Sequence, residues 1–111
     1  MAGGNEVMNA RKKGRLACGR KVRCGCVHLA PGENVGEHST GNGEEVILVL
    51  EGEARVMANG ESHRLCKDEC ILIGEGISHD VFNCAAGKNL VYIYFIGGKE
   101  MEETEYARRK H

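Results

Sequence analysis

The chain has 111 residues, of which 41% are hydrophobic and 28% charged, with a formal net charge of −1. That is the usage of one globular domain; it excludes whole-chain disorder and gives no basis for a nucleic-acid-binding surface. No apolar run nears the ~20 residues that span a bilayer, and the opening residues lack the apolar centre of a signal peptide, so a cytoplasmic protein without a membrane partner is expected.

Residues 1–19 read as a basic N-terminal arm. Seven of the 15 basic residues fall between Arg11 and Arg23, and only Glu6 opposes them. A solvated segment is the plain reading; docking to an anionic partner or to a neighbouring subunit's acidic face is the alternative. Next come short apolar runs separated by glycine and polar turns: 21–29, 44–50, 53–58, 61–66, 69–74, 78–83 and 89–96. Asn59-Gly60 between the third and fourth is a two-residue hairpin signal, because both turn positions need positive φ. Strands recurring about every ten residues mark an all-β barrel or sandwich. Residues 98–111 form a charged tail, acids first and bases last, which suits a short helix or a frayed end.

The six cysteines, Cys18, Cys24, Cys26, Cys66, Cys70 and Cys84, contain no C-x-x-C pair. With no signal peptide they read as reduced thiols, most of them buried in strands, and Cys24 and Cys26 share one strand face. Thiol-based assembly or redox response is a third-rank reading of the chain.

Chemistry concentrates in two glycine-rich loops. His38 lies directly before the strand 44–50, and His79 lies at the start of 78–83. His63 follows the hairpin turn and is expected to be exposed, and His111 is terminal. Two histidines and a glutamate at strand starts converge on one barrel mouth if the barrel closes, and neutral imidazole with carboxylate is metal-ligand chemistry. No phosphate loop, dinucleotide fingerprint or Ser/His/Asp arrangement is present.

Gly32, five residues, His38, then Glu45, then six residues to Gly52 resembles the first motif of the cupin family. Gly76, two residues, His79, three residues, Asn83 resembles its second. The resemblance covers residues 20–97. It implies a double-stranded β-helix, the jelly-roll barrel, with His38, Glu45 and His79 as ligands of a divalent transition metal (Fe, Mn, Ni, Co or Zn). The chain departs from the pattern at Thr40, which stands where the family has a second histidine, and at Asp68 and Gly74, which are exchanges among turn formers. Thr40 is a poor ligand and is expected to hold a water or touch substrate.

Alternation extends the pocket. With Glu45 inward, Glu44 faces away and Ile47 and Val49 follow Glu45; with His79 inward, Val81 and Asn83 follow. The resemblance places Tyr92 and Tyr94 inside as well, leaving Val91, Ile93 and Phe95 to pack between sheets. The expected function is that of a metal-binding cupin acting on a small organic molecule, by oxygenase, isomerase or lyase chemistry. The alternative is a non-catalytic ligand-binding or sensing cupin. Small size favours a homodimer.

Overall fold

The computed structural model describes residues 5–98. Eight strands follow in chain order: β1 (Gly14–Cys18), β2 (Val22–Leu29), β3 (Glu44–Glu51), β4 (Glu53–Ala58), β5 (Glu61–Cys66), β6 (Cys70–Ile73), β7 (His79–Phe82) and β8 (Leu90–Gly97). The described residues contain no helix, and none therefore long and apolar enough to cross a membrane. The C-terminal helix or frayed tail expected in 98–111 lies outside the described residues, apart from Gly98 itself.

Five strands form one antiparallel sheet in the order β1-β2-β8-β3-β6, and three form a second in the order β5-β4-β7. The segment 33–38 runs antiparallel beside β7, with bridges Asn34 to Phe82 and His38 to His79, and extends the smaller sheet. This is the expected two-sheet jelly roll. Asn59 and Gly60 have φ of 52° and 78°, and β4 and β5 pair directly across them, as the dipeptide predicts.

Period-2 alternation makes the core. On β3, Glu45, Ile47 and Val49 are buried, while their outward neighbours are half-buried or exposed. Ile47, Val49, Ile73, Leu90 and Tyr92 from the larger sheet meet Ala54, Val56, Ala58, Leu65 and Val81 from the smaller. Each large aliphatic side chain so buried contributes roughly 1.5–3 kcal/mol.

Four expectations are corrected. Strand β1 falls within the stretch read as a basic arm: GRLAC is too short and too polar to announce itself, and it forms only because the edge of β2 offers a ladder. A bulge between Arg15 and Ala17 sets Leu16 against the sheet's outer face. The arm also folds back on its own chain, where Arg11 lies 3.6 Å from Glu51 and its carbonyl accepts from His28 Nε2. Val91 and Ile93 do not pack between the sheets; they pair with Cys26, Leu16 and Leu50 on the outer face, because Leu90 and Tyr92 take the inward positions. Phe95, on that same outer face, is 38% exposed. His63 is half-buried rather than exposed, since it pairs with inward-facing Val56 and shares its side of the sheet.

Most of the thiols are not buried. Only Cys18 and Cys26 are; Cys24 and Cys66 are half-buried, and Cys70 and Cys84 exposed. Burial pushes the Cys26 thiol up, against a smaller opposing pull from Arg11, so less of it is thiolate at any given pH. Brief iodoacetamide treatment at neutral pH is expected to label Cys70 and Cys84 first and to spare Cys18 and Cys26 until the chain unfolds. Peptide mapping by mass spectrometry checks this, and early labelling of Cys26 would contradict it.

Candidate metal centre

The three expected donors meet. His38 and His79 sit opposite each other on neighbouring extended segments. The His38 N–H donates to the His79 carbonyl at 2.9 Å, and the His79 N–H returns the bond at 2.8 Å. Directly paired residues share a sheet face, so both rings lie on the same side, with centroids 4.3 Å apart at 61°; His79 is buried, while His38 is exposed at the mouth of the site. Glu45 reaches them from β3 in the opposing sheet. One donor atom from each of His38, Glu45 and His79 lies within 4.8 Å of the others.

Hydrogen bonding fixes the chemistry of these donors. His38 Nδ1 is 2.7 Å from the Gly36 carbonyl, and His79 Nδ1 is 2.9 Å from the Ile77 carbonyl. A carbonyl only accepts, so each Nδ1 carries the proton and each Nε2 keeps its lone pair when the ring is neutral. His79 Nε2 then faces Glu45 Oε1 at 2.8 Å, two electron-rich atoms in contact, with His79 1% and Glu45 4% exposed. Two such atoms at that distance need a cation between them, either a proton or a metal ion. Backbone carbonyls orienting two imidazoles through Nδ1–H is the outer-shell arrangement of metal-binding histidines. The donor set, two imidazoles and one carboxylate, therefore fits a divalent transition metal.

Asp80 holds the loop that orients His38. Its carboxylate accepts from Asn34 Nδ2 and the Gly36 N–H, both at 2.9 Å, and from the Val81 N–H at 2.7 Å. This fixes Gly36, whose carbonyl in turn sets the His38 ring.

Beside the donors opens a cavity of about 310 Å³, lined by Arg23, Val27, Val35, His38, Glu45, Tyr92, Tyr94 and Ile96. Tyr92 and Tyr94 are thus on its wall. Burial, with the Glu45 charge adding to it, pushes the Tyr92 phenol well above the usual tyrosine range, so it remains an O–H donor. The other expected pocket residues lie elsewhere. The Thr40 hydroxyl donates to the Gly43 carbonyl at 2.7 Å and closes its own loop. Ile47 and Val81 are deep in the core. The Asn83 amide is used up by backbone groups, donating to the Leu29 and Lys88 carbonyls and accepting from the Ala85 N–H. Arg23, Val27, Val35, Ile96 and Asp80 were not read from the sequence. For Arg23, Val27 and Ile96 a usable signal existed in strand alternation, once the inward faces of β2 and β8 were set.

Gly25 shapes this wall. A Cβ at that position would stand within 2.7 Å of the Tyr94 ring and hydroxyl, so Tyr94 lies over β2 only because Gly25 has no side chain. Gly25→Ala is expected to displace Tyr94 and to lower the unfolding free energy by about 1–3 kcal/mol in urea melts. Most of that cost should vanish in a Tyr94→Ala background. An equal cost in both backgrounds would contradict the contact.

Comparison with known proteins extends the description. The family model for the cupin domain matches residues 25–96. The tetracenomycin polyketide synthase protein TcmJ of Streptomyces glaucescens is 37% identical over 59 residues, 53% of this chain and 40% of that protein. The HTH-type transcriptional regulator PuuR of Escherichia coli K12 is 39% identical over 57 residues, 51% of this chain and 31% of that protein. The aligned segments thus span less than half the length of either relative. Among solved structures, a conserved Klebsiella pneumoniae protein with a double-stranded β-helix domain superposes with a TM-score of 0.71 at 16% identity, covering 84% of this chain and 81% of that one.

Proposed function

The chain belongs to the cupin domain family, and from that premise we propose that it is a metal-binding cupin acting on a small organic molecule in the cavity beside His38, Glu45 and His79. The observation that carries this reading is the pair of imidazoles whose Nδ1 protons are committed to carbonyls, which turns two lone pairs and a buried carboxylate toward one point. Two histidines and one carboxylate leave coordination positions open for a ligand. A divalent ion of the Fe, Mn, Ni, Co or Zn group supplies Lewis acidity or oxygen activation when bound there. The chain's own residues do the remainder: Val27 and Ile96 give the cavity an apolar side, and the Tyr92 hydroxyl offers a donor beside Glu45.

A second reading is a non-catalytic module that senses a ligand. It is favoured by Thr40, whose hydroxyl is spent on its own loop where the family pattern has a further histidine, and by the likeness to PuuR. Metal uptake and turnover separate the two. Purified chain dialysed against Co(II) or Mn(II) and analysed for metal is expected to hold one ion per chain, and His38→Ala and Glu45→Gln are expected to hold almost none. Uptake with turnover of a small organic substrate supports the enzyme; ligand binding by a metal-free chain supports the sensor. No uptake by the wild-type chain overturns the metal reading.

The expected homodimer belongs to the same proposal. Val22, Leu72 and Phe95 are 55%, 63% and 38% exposed on strands of the larger sheet, and covering them supports pairing of two copies.

A further inference from the structure

The cavity wall holds one cation, Arg23, and it is not absorbed by the metal reading. Its side chain is half-buried on the inner face of β2. Among the described residues no hydrogen bond or ion pair engages its guanidinium, and Glu45, the one carboxylate on the same wall, is already bound to His79. Register fixes the separation. Arg23 pairs with Ile96, and Ile96 with Glu45, so the two charged positions stand two strand spacings apart, roughly 10 Å along the sheet. Apolar Val27, Val35 and Ile96 line the space with them, which weakens solvent screening of any charge placed there. The next inward position on β2 is Gly25, and the Tyr94 hydroxyl lies over it, so a second hydrogen-bond donor stands beside Arg23.

From this arrangement we propose that the cavity takes a small ligand with a carboxylate at one end, gripped by the Arg23 guanidinium and the Tyr94 hydroxyl, and with a second polar group directed at the His38–Glu45–His79 cluster. The inference rests on the cavity being the ligand site of the proposed function and adds the ligand's chemical class. A planar guanidinium matches a carboxylate in a two-bond fork. A dicarboxylate carries one charge at each end, so the guanidinium meets and balances only one of them; sulfate or phosphate places both charges on a single tetrahedral centre, which one arginine does not balance. About 310 Å³ lies at the small end of ligand cavities, which suits a short-chain acid.

The test is titration of the full ¹⁵N-labelled chain with glycolate, malonate and succinate, alongside malonamide, succinamide and sulfate, with backbone amide shifts giving dissociation constants. At least one of the acids is expected to shift the amides of Arg23, Tyr94 and Ile96, and to bind roughly 10-fold or more tightly than the matching diamide and than sulfate. Arg23→Gln is expected to lose that preference and Arg23→Lys to keep part of it, both retaining the wild-type spectrum outside the cavity and wild-type Co(II) uptake. Binding by none of the acids at millimolar concentration, equal binding of acid and diamide, preference for sulfate, or wild-type acid affinity in Arg23→Gln would each overturn the proposal. Metal uptake is read on the same samples. Arg23-dependent binding without uptake sinks the metal reading alone, and uptake with Arg23-independent binding sinks this inference alone.

Discussion

His79→Ala is expected to abolish divalent-metal uptake and to lower the unfolding free energy by about 3–5 kcal/mol. Both effects follow from one contact. His79 is 1% exposed, and its Nε2 lies 2.8 Å from Glu45 Oε1, itself in a residue 4% exposed. Removing the ring deletes one of three donors and leaves a buried carboxylate facing a cavity instead of its partner. The second substitution Glu45→Leu separates the two consequences: it removes the stranded charge and should restore most of the lost stability to His79→Ala, while uptake stays absent. Urea denaturation and metal analysis of the single and the double variant check this. A His79→Ala protein of wild-type stability would contradict the buried pairing.

Asn83→Ala is expected to cost about 3 kcal/mol without affecting metal uptake by the folded chain. Asn83 is 1% exposed and serves three backbone groups at once: its Nδ2 donates to the Leu29 carbonyl at 3.0 Å and the Lys88 carbonyl at 2.8 Å, and its Oδ1 accepts from the Ala85 N–H at 3.1 Å. It therefore ties the end of β2 to the loop that leads into β8. Alanine leaves these groups without partners. Asn83→Asp should not rescue, because a carboxylate offers no donors to the two carbonyls. Thermal and urea unfolding measure the loss, and a cost below about 1 kcal/mol would show that the carbonyls find other partners.

Asn83 also shows where reading the sequence stops. Alternation along SHDVFN put it on the same face as His79, yet it stands one residue beyond the end of β7, and its amide turns to backbone groups that become neighbours only after the two sheets close. Thr40 is similar: its motif position pointed to the centre, but Gly43 supplies a nearer acceptor. Features that depend on local period or on turn chemistry were legible. The inward set Glu45, Ile47 and Val49 and the Asn59-Gly60 hairpin are of this kind, whereas the placement of Tyr92 and Tyr94 came from the family resemblance. His38 and His79 were legible as a pair from motif spacing, and their meeting needs only one antiparallel bridge. For Arg23, alternation along β2 carried its inward position but not its bearing on the site, which matters only once β8 carries it to within two strands of Glu45. β1 was not legible, because an edge strand of five residues is made by its neighbour rather than by its own composition.

Anomalous diffraction from crystals of the Co(II)-loaded chain, collected at the cobalt edge, tests the central claim most directly. One peak bounded by His38 Nε2, His79 Nε2 and the Glu45 carboxylate is predicted, with both Nδ1 atoms still on the carbonyls of Gly36 and Ile77. A loaded crystal with its peak elsewhere, at the exposed thiols of Cys70 or Cys84 for instance, and none between these three side chains would contradict it.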